Sequence, residues 1–325
     1  MGIITSTTEI MAYILFFIVI SILSFRRDFH SVAQVLSGSL FGVTLEYMNI
    51  QVMQTYIYSS QFLLQLGSPP DNIPICIGLC WGLIIYACMN VSNKIIEIPE
   101  WLKPLLDGLL ALTIDLSMDT IAIRLDGGFW TWLEIPMENL PTLNSFFGVN
   151  YGNFVGWFFV VLIFSTMLRI EEKWIAKKFS RSVILVLYFL IIPFFSYIPL
   201  FLSFHTLPLP VFIIFNILGF NGESTNLMEL AILVYIMTLV SIIFFIALIR
   251  SKPKLEKDAD LLSLTIFMFF HLSYLGFYLL DGLFEETPLI LLIASLMFTI
   301  DAMIHYSILD KKRLSLQIEK LKKAL

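Results

Sequence analysis

Long apolar runs alternate with short polar stretches along this chain, and the length of the runs decides what they are. A bilayer core of ~30 Å takes about 20 helical residues to cross. Runs of that size cover residues 9–25, 31–50, 73–93, 101–123, 152–169, 182–204, 228–249, 260–281 and 288–309. A further apolar run, 207–220, is about fourteen residues long and opens on Pro208 and Pro210, which makes it short for a crossing. The pattern predicts an all-α fold, a polytopic transmembrane helical bundle of about nine spans, with 207–220 as a re-entrant or interfacial segment. Residues 1–310 are expected to form one transmembrane domain, and 311–325 a basic amphipathic tail on the inner leaflet.

Composition agrees: 58% of the 325 residues are hydrophobic and 14% charged. The first run lacks a basic leader and a small-residue cleavage site, so it reads as a retained span and not as a signal peptide. Charge placement fixes the direction. With nine spans and the N-terminus outside, every Lys and Arg except Arg124 falls on the inner side, as the positive-inside rule asks. A crossing by 207–220 would move the cations at 250–257 and those of the tail to the outer face. The expected location is the cell membrane, multi-pass, with a cytoplasmic C-terminus. Cys76, Cys80 and Cys88 lie in one apolar run and suggest no disulfide or metal framework. No zinc, heme, phosphate-loop or nucleic-acid motif is present, so no cofactor and no nucleic-acid partner are expected.

Topology then gathers scattered polar residues at one depth. Glu46 lies near the outer end of the second run, Asp115 and Asp119 in the outer half of the fourth, Asn153 and Trp157 at the outer start of the fifth. Loops rich in aromatics, with Tyr56, Tyr58, Phe129, Trp130 and Trp132, hang on the same side. Asp115 and Asp119 are four apart and share one helix face, ~6 Å from each other. Carboxyls inside a membrane are costly, which makes them functional candidates; helix packing and headgroup-level placement are the structural alternatives. Arg124 either snorkels to headgroups or holds one of the nearby carboxylates ionised.

Several elements resemble a known family. They are Glu46, the T-Y-I-Y-S-S of Thr55 to Ser60, the run ending at Trp81, and the D-x-x-x-D of Asp115 and Asp119. The G-F-W-T-W of Gly128 to Trp132 and the F-G-V-x-x-x-N-F-x-G-W of Phe147 to Trp157 complete the set. Across about residues 35–165 the sequence is similar to the carotenoid-biosynthesis membrane proteins that include the carotenoid end-group hydratases. It departs from the pattern at Thr120 and Asn150, where members usually carry proline. The resemblance implies isoprenoid chemistry on a long apolar polyene drawn from the bilayer, with hydration of a terminal C=C as the leading activity.

That chemistry suits the residues. Hydrating an unactivated alkene takes an acid to protonate one carbon and surroundings in which a tertiary carbocation survives until water attacks. A carboxylic acid among apolar walls keeps its proton. Asp115, Asp119 and Glu46 are the candidate catalytic carboxyls, with either aspartate as the acid. Tyr58, Trp81, Arg124, Trp130, Trp132, Asn153 and Trp157 are the candidates to surround substrate, cation and water, the aromatic faces acting through their quadrupoles. A cyclase or isomerase would use the same acid.

Other features are expected to play lesser parts. Asp301 and His305, four apart on the last run, form a possible proton relay away from the cluster. His271, Tyr274 and Tyr278 share a stripe that either lines the cavity or bonds between helices. The D-x-x-x-D spacing also suits Mg-diphosphate binding, but it occurs once and outer-side cations are nearly absent. A transporter would show matched broken helices, and no internal repeat is found. A sensor or lipid-binding scaffold signalling through the basic tail would need the aromatic cage but not the acid.

Overall fold

In the computed structural model the described residues are 2–133, 135–175, 181–217, 225–251, 254–256 and 261–308. The basic tail predicted for 311–325 lies outside them. The fold is a helical bundle, as an apolar chain in lipid requires, because only there does each segment satisfy its own backbone groups. Its long members are α1 (Ile3–Phe25), α2 (Phe29–Tyr47), α3 (Ile75–Asn93), α4 (Lys103–Ala122) and α5 (Tyr151–Ile170). After α5 come the short α6 (Arg181–Val186), α7 (Ile192–Phe195), α8 (Tyr197–Thr206) and α9 (Leu209–Ile217), then α10 (Thr225–Arg250), α11 (Leu261–Leu280) and α12 (Pro288–Ile308).

Among the described residues seven helical stretches are long and apolar enough to cross a membrane: α1, α3, α5, 183–217, α10, α11 and α12. The helices α2 and α4 have 19 and 20 residues but are more polar. They carry Ser37, Ser39 and Glu46, and Asp107, Asp115, Ser117 and Asp119, all buried inside the bundle. The two most polar long helices are thus interior ones. Packing of α4 against α3, α5, α11 and α12 places it at the centre.

The predicted sixth span is segmented. A wide π-helical turn (187–191), Pro193 and Pro199 divide it into α6, α7 and α8, and Leu207 and Pro208 turn the chain into α9. Nine residues of α9 rise only ~14 Å, too little to cross. It lies against α10.

Small residues bring α2 and α3 together. A Cβ on Gly38 would stand 3.0 Å from the Gly82 Cα, and one on Gly82 would stand 2.3 Å from the Val35 carbonyl oxygen. Close backbone approach of this kind is how helices associate where lipid is as apolar as the side chains.

The end of the bundle where α2 and α4 finish and α3 and α5 begin carries a cap. Strand β1 (Tyr56–Tyr58) pairs antiparallel with β5 (Trp130–Trp132), Tyr56 opposite Trp132 and Tyr58 opposite Trp130. A second small pair joins β2 (Gln65–Leu66) to β3 (Ile73–Pro74), and at the other end of the bundle β4 (Ile95–Ile96) joins β6 (Lys254–Leu255). Two α1 interactions pin the cap. Buried Glu9 accepts from the Leu63 and Leu64 amides at 2.5 and 2.9 Å, and Asp126 accepts from the Thr5 amide at 2.7 Å. Toward the other end, Arg169 donates to Asp107 at 2.9 Å and to Asn93 at 2.5 Å, tying α5 to α4 and α3.

Candidate functional site

Glu46 sits in the last turn of α2, buried under the cap. Residues two apart on a strand point to one face, and β1 therefore aims both its tyrosines at Glu46. Its Oε2 accepts from the Tyr56 hydroxyl at 2.5 Å and the Tyr58 hydroxyl at 2.7 Å, and its Oε1 from Trp81 Nε1 at 2.9 Å. Burial pushes both phenols well above their ordinary value, so they remain protonated donors. The cross-strand partners complete the wall: Trp132 meets Tyr56 edge-on with centroids 4.9 Å apart, and Trp130 meets Tyr58 at 6.1 Å. Behind Trp81 lies Trp157, at 4.4 Å.

The central helix supplies the other carboxyls. Asn150 caps α5 by accepting from the Gly152 amide at 2.6 Å, which sets Asn153 in the first helical turn facing α4. The Asn153 side-chain amide donates to Asp115 Oδ1 at 3.0 Å and to Asp119 Oδ2 at 2.8 Å. Asp115 Oδ2 and Asp119 Oδ1, both buried, accept from no other group among the described residues, and the two carboxyls lie within hydrogen-bonding reach of each other. One neutral amide thus bridges two carboxyl groups in an apolar interior.

A cavity of about 540 Å³ joins these parts. Glu46, Tyr56, Tyr58, Trp81, Asp119, Trp130, Trp132, Asn153 and Trp157 line it, whereas Asp115 stands one turn deeper in α4 and does not. The rest of the wall is made by Phe201, Phe204 and His205 of α8, Phe212 of α9, Glu229 and Ile232 of α10, and Phe270 and Tyr274 of α11. Phe201 lines the cavity and is also 58% exposed, so the cavity reaches the apolar flank of the bundle at α8.

Arg124 stands outside this group. It donates to the Thr120 carbonyl at 2.6 Å and the Glu138 carbonyl at 2.5 Å, fixing the loop after α4 and ion-pairing with neither aspartate. The expected Asp301 and His305 relay is also rearranged: Asp301 pairs with His271 Nε2 at 2.6 Å, and His305 donates to the Asp301 backbone carbonyl at 2.8 Å. Ser117 meets His271 Nδ1 at 2.9 Å. Of the stripe on α11, Tyr274 reaches the cavity, while His271 and Tyr278 bond between elements. Among the described residues no three His, Cys, Asp or Glu side chains gather as metal ligands would.

Two carboxyls escaped the sequence reading. Glu9 opens the first apolar run and looked like its boundary, yet it is a buried clamp on the cap. Glu229, the second residue of the run 228–249, lines the cavity; a lone carboxyl at a span end gave the only signal.

No curated protein and no solved structure matches the chain. A family does match, over residues 8–220, nearly two thirds of the chain and further in both directions than the motifs alone reach. Those residues hold Glu46, both aspartates, Asn153, the paired strands of the cap and the four lining tryptophans. This bundle belongs to the carotenoid biosynthesis protein family.

Proposed function

We propose that the protein is a membrane enzyme of carotenoid metabolism that hydrates a terminal C=C of a long acyclic polyene, with Asp119 as the acid. One observation carries the reading: Asp119, half of a pair of buried carboxyls bridged by Asn153, lines an apolar aromatic cavity. Two ionised carboxylates held by one amide in an apolar interior repel each other, and a shared proton relieves this. Asp115 acts as the deeper partner that takes up the charge when Asp119 gives up its proton.

Transfer of that proton to the alkene CH uses the π pair to form a C–H bond and leaves a tertiary cation. Glu46 has three donors already on its oxygens and is suited to remain a fixed negative charge at the cap end, with Trp81, Trp130, Trp132 and Trp157 offering ring faces. Water then forms the C–O bond and loses a proton. Arg124 has a supporting role in holding the loop behind β5. The polyene enters from the bilayer beside Phe201, its remaining length lying among lipid chains. The membrane is the cell membrane, with the N-terminus outside and the C-terminus cytoplasmic.

The test is product analysis after expression in a carotenoid-producing bacterial host, wild type against Asp119→Asn. Pigment heavier by one water per modified end, absent in the variant, supports the reading. Unchanged mass with a shifted retention time would replace hydration by cyclisation or isomerisation.

A further inference from the structure

Hydration by this route needs a second group, one that takes the proton water loses on attacking the cation. Asp119 has just become a carboxylate and lies on the face from which the alkene was protonated, while Glu46 is saturated by its donors. One more carboxyl lines the cavity, Glu229, carried by a different helix, α10.

We propose, resting on the hydration reading, that Glu229 is the group that orients the attacking water and receives its proton. Its Oε2 accepts from the Gly152 amide at 3.2 Å, at the N-terminus of α5, a favourable place for a carboxylate. Gly152 leaves room for this docking, since a Cβ there would stand 3.1 Å from the Glu229 carboxyl carbon. The next residue is Asn153, which donates to Asp119. A single turn of α5 therefore holds both carboxyls against one cavity, in a helix already fixed by its Asn150 cap.

The steps balance. The Asp119 proton forms the new C–H bond, a water lone pair forms the C–O bond, and the broken water O–H gives its proton to Glu229. One water is consumed and no net proton; the proton returns from Glu229 to Asp119 through cavity water before the next turnover. Glu229 lies beyond residues 8–220, so the part of the chain that the family match does not cover supplies this group. Capture of the cation by water is accordingly the step that can differ between members sharing the aspartate pair.

The experiment offers lycopene to membranes holding wild type, Glu229→Gln, Gly152→Ala or Asp119→Asn in deuterated water, and measures hydroxylated product and deuterium in the recovered carotene. A cation that is formed but not captured loses a proton again and returns as deuterated alkene. The expected result is that Glu229→Gln lowers hydroxylated product by ten-fold or more while deuterium still enters the recovered carotene, which also shows that the variant is folded. Gly152→Ala, which displaces Glu229 without removing its charge, moves the same ratio in the same direction, and Asp119→Asn loses both signals. Equal loss of both signals in Glu229→Gln, or undiminished hydration, overturns the inference. Wild type yielding neither signal sinks the hydration reading itself.

Discussion

Asn153 is the residue on which the acid pair depends, because among the described residues its amide is the only hydrogen-bond donor bridging Asp115 and Asp119. Asn153→Ala leaves both carboxyls without that donor and is expected to abolish turnover and to cost about 1–3 kcal/mol of stability, read as a lower melting temperature in detergent. Glu46→Gln puts an amide NH₂ among three donors. The expected loss is again about 1–3 kcal/mol, and Tyr56→Phe combined with it should recover part of the loss by removing a donor left unpaired. The two phenols also set a pH dependence. Their values are raised in the folded state, so the stability they contribute is intact below the ordinary tyrosine value of 10.0 and is lost as pH rises through and above it. Thermal melts at constant ionic strength should therefore be flat from neutral pH to about 9 and fall beyond about 10; a fall centred near neutrality would contradict this. At this scale much was legible, because a carboxyl in an apolar run announces itself by its cost. Arg124 was harder: its sequence neighbours are aspartates, but a guanidinium at a helix end also finds backbone carbonyls, and here these hold it.

Among the elements, α2 and α3 are held together by the glycine seam. Gly82→Leu would drive a side chain into the Val35 carbonyl and Ser39, and is expected to cost ~3 kcal/mol or more or to prevent assembly, seen as loss of a monodisperse peak on size exclusion in detergent. The cap depends equally on its two strands. Their sequences stood out as aromatic motifs, but their pairing did not, since residues 56–58 and 130–132 are far apart in the chain and each is too short to show a strand pattern. The helices were legible from run length. Segmentation of the sixth span was not, because Pro193 and Pro199 sit within an unbroken apolar run and hydropathy does not register a broken ladder.

For the whole molecule, the central place of α4 explains why the least apolar long helices are interior ones: the polar side chains that weaken a span's hydropathy are those that other helices must satisfy. The cavity reaches the apolar flank of the bundle at α8, which suits a substrate that never leaves the membrane. Filling that approach with Phe204→Trp is expected to lower kcat/KM for a full-length carotene about ten-fold, an effect of ~1.4 kcal/mol, while leaving bundle stability unchanged; an unaltered rate would place the entrance elsewhere. Membership of the carotenoid biosynthesis protein family was legible in the motifs of residues 35–165. The part played by α8 to α11 in closing the cavity was not, since Phe201, Phe212, Ile232 and Phe270 look in sequence like any lipid-facing residues.

The most direct test of the central claim, protonation of an alkene by a carboxyl inside the bundle, is the position of deuterium in the product. Lycopene converted in deuterated water by wild-type membranes should carry one deuterium on the carbon next to the hydroxylated carbon at each modified end, and Asp119→Asn membranes should give none. Hydroxylated product without deuterium at that carbon, or an Asp119→Asn variant that labels as wild type does, would contradict the account.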